Sequence, residues 1–404
     1  MTVLYPGRHN TDAGPDFIGA RLRIDGQEWA GNVEIHVKAS DWKRHGHSGN
    51  PAYDNVILHV VGVDDLRIPA ATGRMIPQAV LTFPKTFIGL YNQMSKRIGE
   101  VECSTAISRL MPAVTLGWLD SLAVERMQRK SRQILDTVRQ VDGDWQRACF
   151  IVLARALGFG LNAEPMEMLA RKVPLSVVSK HSDNLLQLEA LLFGQAGMLD
   201  TSVHIFDEYY QQLCREYIFL AHKYGLRPLR RDVWKFARTR PQNFPTRRIA
   251  MLARALAGGF SLMSEILETE CNNDATRALF DWELDGYWLQ NIDFDQPGVN
   301  LQAKLSAQTR DLLTVNLTAP LIYAYGAWRG DCELAEKSMD FWHATAAENN
   351  HIIRSWQRAG LGAKSAADSQ ALLQLRNEYC ERGRCMDCRF GHALLRQAYS
   401  EAEC

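Results

Sequence analysis

Between Asp16 and Val63 the apolar positions recur at every second residue and then at almost every residue; beyond about Lys85 they recur at helical spacing. Ala20, Leu22 and Ile24 alternate with Arg21 and Arg23, the pattern of a strand with one wet face. Asp25-Gly26 is a hairpin dipeptide, because a tight primed turn needs positive φ and glycine adopts it without a steric penalty. The return strand is expected from Trp29 to Ala39. On it Val33, Ile35 and Val37 point one way, and Glu34, His36 and Lys38 point the other. Asn55 to Val63 is apolar at nearly all positions, as in a central strand covered on both faces, and His59 lies inside it. A polar turn with Asp64, Asp65 and Gly73 leads to a last strand near Ala79 to Phe83.

The helical part carries Trp118, Leu119, Leu122, Met127, Ile134, Leu135 and Val138 on one broad face. Asp144 is a candidate N-cap and Gly158 a candidate stop for the next helix. Further helices are expected over Asp183 to Met198, Val203 to Tyr224, Arg247 to Ala257 and Phe260 to Leu267, with Thr246 capping the third of these. Ser365 opens a capped amphipathic helix, and Glu348 to Arg354 also reads as helical. The expected fold class is therefore α+β. A small N-terminal mixed β-sheet domain (1–84) precedes a large all-α region, made of a helical domain (85–330) and a C-terminal helical segment (331–404).

Composition narrows the class without naming a partner. Of 404 residues, 46% are hydrophobic and 23% charged, and Lys+Arg and Asp+Glu both number 46. No apolar run reaches the ~18 residues of a membrane span, so no membrane partner is expected. Nine cysteines, an odd number scattered through a long chain, argue against a disulfide framework and for a reducing, cytoplasmic setting. Nucleotide-binding glycine motifs and a serine-hydrolase elbow are missing from the sequence.

Three groups of residues carry candidate chemistry. Asp16 opens one strand and Glu34-Ile35-His36 lies on its neighbour, so the two carboxylates can share a hard divalent cation, Mg2+ or Mn2+. His36 or Lys38, on the same face as Glu34, would position an attacking water. His9, Asn10 and Asp12 precede this set in a loop where turn chemistry and substrate contact are both open readings. His45-Gly46-His47 in the following loop can ligate a transition metal or touch substrate, whereas His59 reads more readily as a core histidine.

The second group is a basic stretch from His222 to Arg254, with ten cations opposed only by Asp232. Arg230, Arg231, Lys235, Arg238, Arg240, Arg247 and Arg248 are its candidate nucleic-acid contacts, interleaved with Trp234, Phe236 and Phe244. The alternative is a solvated basic face neutralised by nearby Glu265, Glu268 and Glu270. The third group is Cys380, Cys385 and Cys388, spaced Cys-x4-Cys-x2-Cys, which suits Zn2+ or an iron–sulfur cluster. His392, Cys404 and the distant Cys103 are candidates for a fourth ligand.

The order Pro15-Asp16, hairpin, Glu34-Ile35-His36 resembles the signature of the PD-(D/E)XK nuclease superfamily, with histidine standing where lysine is usual. That resemblance implies a restriction-endonuclease-like sheet, a divalent metal at Asp16 and Glu34 with the Ile35 carbonyl as a further ligand, and phosphodiester cleavage in nucleic acid. Some nucleases of that superfamily also carry a four-cysteine iron–sulfur staple built from one distant cysteine and a C-terminal triplet. The chain as a whole resembles an uncharacterised bacterial family marked by HNxDAGPDF, GNVEIH, SDW, YDNVILHVV and the C-terminal cysteine cluster. Members usually have a helix ahead of the first strand, which is not expected ahead of Thr2 to Tyr5 here. The leading expectation is a metal-dependent nuclease-like protein. The alternatives are a non-catalytic nucleic-acid-binding protein or a scaffold on a degenerate nuclease fold.

Overall fold

The structure is a computed structural model that describes residues 1–10, 13–70, 72–83, 88–89, 91–92, 103, 107, 112–200 and 207–403. Asp12, the junction at residues 84–87, residues 203–206 of one expected helix, and Cys404 lie outside the described residues. The chain divides into two units, Met1–Asn92 with Leu395–Cys404, and Gln93–Leu394. Residues 331–394, set apart by the sequence pattern as a C-terminal segment, fall within the second unit.

The first unit is built on a mixed sheet. Its strands are β1 (Thr2–Tyr5), β2 (Arg8–His9), β3 (Phe17–Ile24), β4 (Gln27–Lys38), β5 (Val56–Val63) and β6 (Gln78–Val80), in the order β1-β3-β4-β5-β6 with β2 also on β3. The β3–β4 hairpin closes where expected, with Ile24 opposite Gln27 and with Asp25 and Gly26 at φ 49° and 82°. Strand β5 runs parallel to β4, pairing Glu34 with His59 and Ile35 with Val60. Parallel neighbours need a long crossover. Residues 39–55 supply it, with a short helix at Asp41–Arg44 and a 3-10 turn at Pro51–Tyr53.

The crossover decides what β4 buries. Alternation on the strand holds, but beyond Val33, which is buried on the opposite face, the covered face is the polar one. Glu34 and His36 are buried, whereas Ile35 is 44% and Val37 75% exposed. The reason is topological. A parallel crossover lays residues 39–55 over the face carrying Glu34 and His36. Trp42, Tyr53, Val56, Ile68 and Ile76 form the apolar cluster under that cover. A second cluster, including Ala20, Leu22, Val33, Leu58 and Val60, completes the unit. Strand β5 is buried from Val56 to Val61, as its unbroken apolar run requires.

The second unit is helical around one large core. Its helix Pro112–Gln140 buries Trp118, Leu119, Leu122, Met127, Ile134 and Val138, the expected stripe. Asp144 caps Trp145–Leu157 by accepting the Arg147 N–H, and Gly158 ends it. A Cβ on Gly158 would meet the Asn162 carbonyl oxygen at 2.3 Å, so the position admits only glycine. Ser365 and Asp368 form the capping box of Ala366–Gln374. Thr246 does not cap its helix; it donates instead to the Ile292 carbonyl, and Phe244 stands at the N-cap of Pro245–Leu256. Among the described residues no helix is long and apolar enough to cross a membrane.

Candidate metal centre

Asp16 and Glu34 meet across β3 and β4, and their carboxylates are locked by each other's main chain. The Asp16 N–H donates to Glu34 Oε2 at 3.1 Å, and the Ile35 N–H donates to Asp16 Oδ2 at 2.8 Å. Asn10 holds the preceding loop by donating its backbone N–H to the Asp16 carbonyl (2.8 Å) and its side-chain amide to the Pro15 carbonyl (3.1 Å). Glu34 Oε2 is thereby occupied, and Oε1 faces the histidines.

Three imidazoles gather there. His36 comes from β4; His45 and His47 come from the crossover. One ring nitrogen from each lies within 4.8 Å of the other two. His36 Nε2 is 3.2 Å from His45 Nδ1 and 3.5 Å from Glu34 Oε1, and His47 Nε2 is 3.1 Å from Glu34 Oε1. The edge of a tetrahedron with metal–ligand bonds of ~2.0–2.1 Å is about 3.3–3.4 Å, close to these separations. His47 Nε2 is buried and makes no hydrogen bond, its polar neighbour being Glu34 Oε1 at 3.1 Å. A buried ring nitrogen in that state is what a ligand position looks like before its ion is counted. The residues therefore fit a divalent ion.

The surround fixes these rings. His36 Nδ1 lies 2.8 Å from His59 Nε2; Gln78 Nε2 lies 3.5 Å from His59 Nδ1 and donates to the Leu66 carbonyl at 2.9 Å. Were His36 to ligate a metal through Nε2, its Nδ1–H would donate to His59 Nε2, which would fix the ring as outer-shell acceptors do. Tyr53 stacks on His47 with centroids 3.9 Å apart, and Trp42 stands edge-on to His36, His47 and His59.

Burial also sets the charge states. It pushes Glu34 up to about 7, with the Asp16 charge adding to the effect and the Asp16 N–H opposing it. Burial lowers His36 and His47, helped by their neighbouring imidazoles, and takes His59 down to about 4. The pocket thus favours neutral rings, the form that ligates a metal.

Of the expected site residues, Asp16, Glu34 and His36 come together. Lys38 does not join them. It is exposed at the far end of β4, where its charge lowers Asp65, after the Ser40 hydrogen bonds that dominate there. His45 and His47 join this set, and His59 stands behind His36. The sequence signal for the first two is a His-x-His in the segment that crosses over a Glu-x-His strand.

The basic stretch does not form one surface. Arg247 and Arg248 are only 2% and 5% exposed, a correction to their expected role as backbone contacts. Helix Pro245–Leu256 turns them inward, where Arg247 donates to the carbonyls of Trp288 and Gln302. Trp234 is buried with its Nε1 on the Ala196 carbonyl, and Phe236 packs against Phe244, so these rings are spent inside the fold. Arg230, Arg231, Lys235, Arg238 and Arg240 are exposed, Arg230 being paired with Asp232 at 2.6 Å.

At the other end of the sequence, Cys103, Cys380, Cys385 and Cys388 line one cavity of about 20 Å³. Cys103 thus joins the C-terminal triplet, and His392 is exposed and outside that lining. Cys388 accepts hydrogen bonds from the Gly391 and Phe390 N–H groups, although burial dominates and raises its thiol.

A family model described as "Protein of unknown function (DUF2851)" matches residues 1–351. The chain belongs to this family. The match spans the six strands of the sheet and the candidate metal-centre residues and ends ahead of the cysteine triplet. Comparison of this DUF2851 chain with curated proteins gives no match, nor does comparison with solved structures.

Proposed function

We propose that this DUF2851 chain is a metal-dependent hydrolase of phosphodiester bonds in nucleic acid, built on a sheet of restriction-endonuclease-like type. The carrying observation is the convergence of His36, His45 and His47 within 4.8 Å beside the Asp16–Glu34 pair. Three imidazoles leave room for water at a fourth position, the ligand count of catalytic zinc sites. Nitrogen donors favour Zn2+ over the Mg2+ that two carboxylates alone would suggest, with Mn2+ compatible with the mixed set. Bound there, the ion would supply Lewis acidity and lower the pKa of a water molecule. Glu34 Oε1, facing the same space, accepts the proton of the attacking water. His59 orients His36, and Asp16 holds the Glu34 main chain and carboxylate in register. The exposed cations Arg230, Arg231, Lys235, Arg238 and Arg240 are proposed contacts for the nucleic-acid backbone.

Hydrolysis of single- and double-stranded DNA and RNA, and of a bis-aryl phosphodiester, with Zn2+, Mn2+ or Mg2+ tests this reading. Cleavage that requires metal and disappears in Glu34→Gln is expected. Absence of cleavage with every metal and substrate sinks it.

A second reading rests on Glu34 Oε1, which stands 3.1 and 3.5 Å from two ring nitrogens. As a fourth ligand it would close the site, making the metal structural and the protein a nucleic-acid-binding or scaffold member of a decayed nuclease fold. Tight metal binding without hydrolysis selects it. The four cysteines are proposed to hold Zn2+ or an iron–sulfur cluster. Absorbance near 400 nm after anaerobic purification would distinguish the cluster from zinc.

A further inference from the structure

Arg247 and Arg248 pose a problem that their hydrogen bonds leave unsolved. They are consecutive, more than nine-tenths buried, and both line a cavity of about 270 Å³ in the helical unit. Arg247 gives its terminal nitrogens to the carbonyls of Trp288, Asn291 and Gln302 and to Gln242 Oε1. Arg248 reaches Asn243 Oδ1, and its guanidinium lies 4.7 Å from the Phe159 ring centroid. Every one of these partners is neutral. The Nε–H of each arginine is buried with no acceptor. Among the described residues no carboxylate pairs with either.

Burial lowers both guanidinium pKa values to about 10, Arg248 being lowered further by its neighbour's charge, so both remain cations at neutral pH. Two adjacent buried positive charges without a counter-ion are strongly unfavourable. Of the other cations lining the cavity, Lys304 is neutralised by Asp281 at 3.0 Å and Glu283 at 3.7 Å, whereas Arg240 is exposed. The buried charge of Arg247 and Arg248 is therefore uncompensated, and Arg240 adds an exposed cation to the lining.

We propose that this cavity is a binding site for a phosphate monoester or inorganic phosphate. The charge of both guanidiniums, and the Arg248 Nη1 that the Asn243 bond leaves over, suit a tetrahedral oxyanion with its charge of about −1.5 to −2 at neutral pH. Gln242, Asn243 and Gln302 hold the forks in place, and the volume admits a phosphate with a small part of its carrier. This site shares no residue with the metal centre, and only Arg240 with the cations proposed to contact nucleic acid.

The test is thermal unfolding and calorimetric titration of the full chain with inorganic phosphate, against chloride at equal ionic strength. Wild type is expected to show a saturable rise in Tm with phosphate. Arg248→Met keeps an unbranched stem against Phe159 and removes one charge. It is expected to unfold no lower than wild type in chloride and to bind phosphate at least tenfold more weakly. Arg240→Ala, at an exposed lining position, should leave the Tm in chloride unchanged and weaken phosphate binding several-fold. No saturable phosphate effect in wild type overturns the proposal, as does an effect that survives Arg248→Met or, should that variant not fold, Arg240→Ala. Ribose 5-phosphate and an oligonucleotide with and without a 5′-phosphate then separate a small phosphorylated ligand from a nucleic-acid end.

Discussion

Asp16 and Glu34 hold each other through the backbone: the N–H of one residue binds the carboxylate of the other, and the N–H after Glu34 binds the carboxylate of Asp16. Neither carboxylate can turn away without releasing a main-chain donor. The arrangement fixes two acids side by side before any ion arrives, and the electrostatic consequence is measurable. Asp16→Asn keeps an oxygen for the Ile35 N–H but removes the charge that, after burial, raises Glu34. The Glu34 pKa is expected to fall from about 7 in the metal-free variant. Carboxyl carbon shifts followed by NMR across pH would report it, and an unchanged titration would refute the coupling.

Metal affinity should separate ligands from their supports. In the proposed zinc centre His36→Ala would remove a ligand whose ring neighbours Glu34, His45 and His59, and is expected to abolish tight Zn2+ binding. His59→Phe keeps the buried ring volume but takes away the acceptor that orients His36. A loss of roughly 10–100-fold in affinity is expected, the usual scale for a partner one step removed from the metal. Competition with a chromogenic chelator measures both. Equal losses would place His59 in direct contact with the ion.

The strands and the Asp16–Glu34–His36 set were legible because alternation and a hairpin dipeptide are local signals. Which face of β4 is covered was not legible. Of the apolar side only Val33 is buried, while Ile35 and Val37 are exposed, and only the parallel pairing with β5 reveals that residues 39–55 seal the face of Glu34 and His36. The same non-local fact brings His45 and His47 over the site, so their weight could not be judged from spacing. Arg247 and Arg248 misled for a related reason: charge density along a sequence does not say which face a helix turns inward. Cys103 shows the reverse, a distant residue suggested from the sequence as a partner of the C-terminal cysteines and found lining their cavity.

Gly194 gives a test in which two effects oppose each other. It lies in helix Leu185–Gln195, where Gly→Ala would ordinarily stabilise by roughly 0.5–1 kcal/mol through backbone entropy. A Cβ there would meet the Tyr217 ring at 2.0 Å, and Tyr217 is anchored by the hydrogen bond from Gln195 Nε2 to its hydroxyl at 2.8 Å. The clash is with a pinned ring, so overpacking should win, with a net loss of about 1–3 kcal/mol. Denaturant unfolding of Gly194→Ala decides the sign.

Glu189 supplies the pH test. It is 4% exposed in the same helix, with the Tyr209 hydroxyl donating at 2.6 Å and Trp288 Nε1 donating at 3.1 Å. Burial outweighs these donors and the Arg254 charge, raising its pKa from 4.5 to about 7. The folded state therefore binds this proton more tightly than the unfolded chain does. The stabilising contribution is complete below pH 4.5, declines as pH rises and is gone above about 7. At 1.36 kcal/mol per pH unit the span is on the order of 3 kcal/mol. In Glu189→Gln this decline is expected to vanish. The wild-type-minus-variant stability difference should then fall between pH 5 and pH 8, with the variant favoured at the upper end. Denaturant unfolding of both proteins at the two pH values measures that difference, and an equal offset at both would show that Glu189 titrates as an ordinary carboxylate.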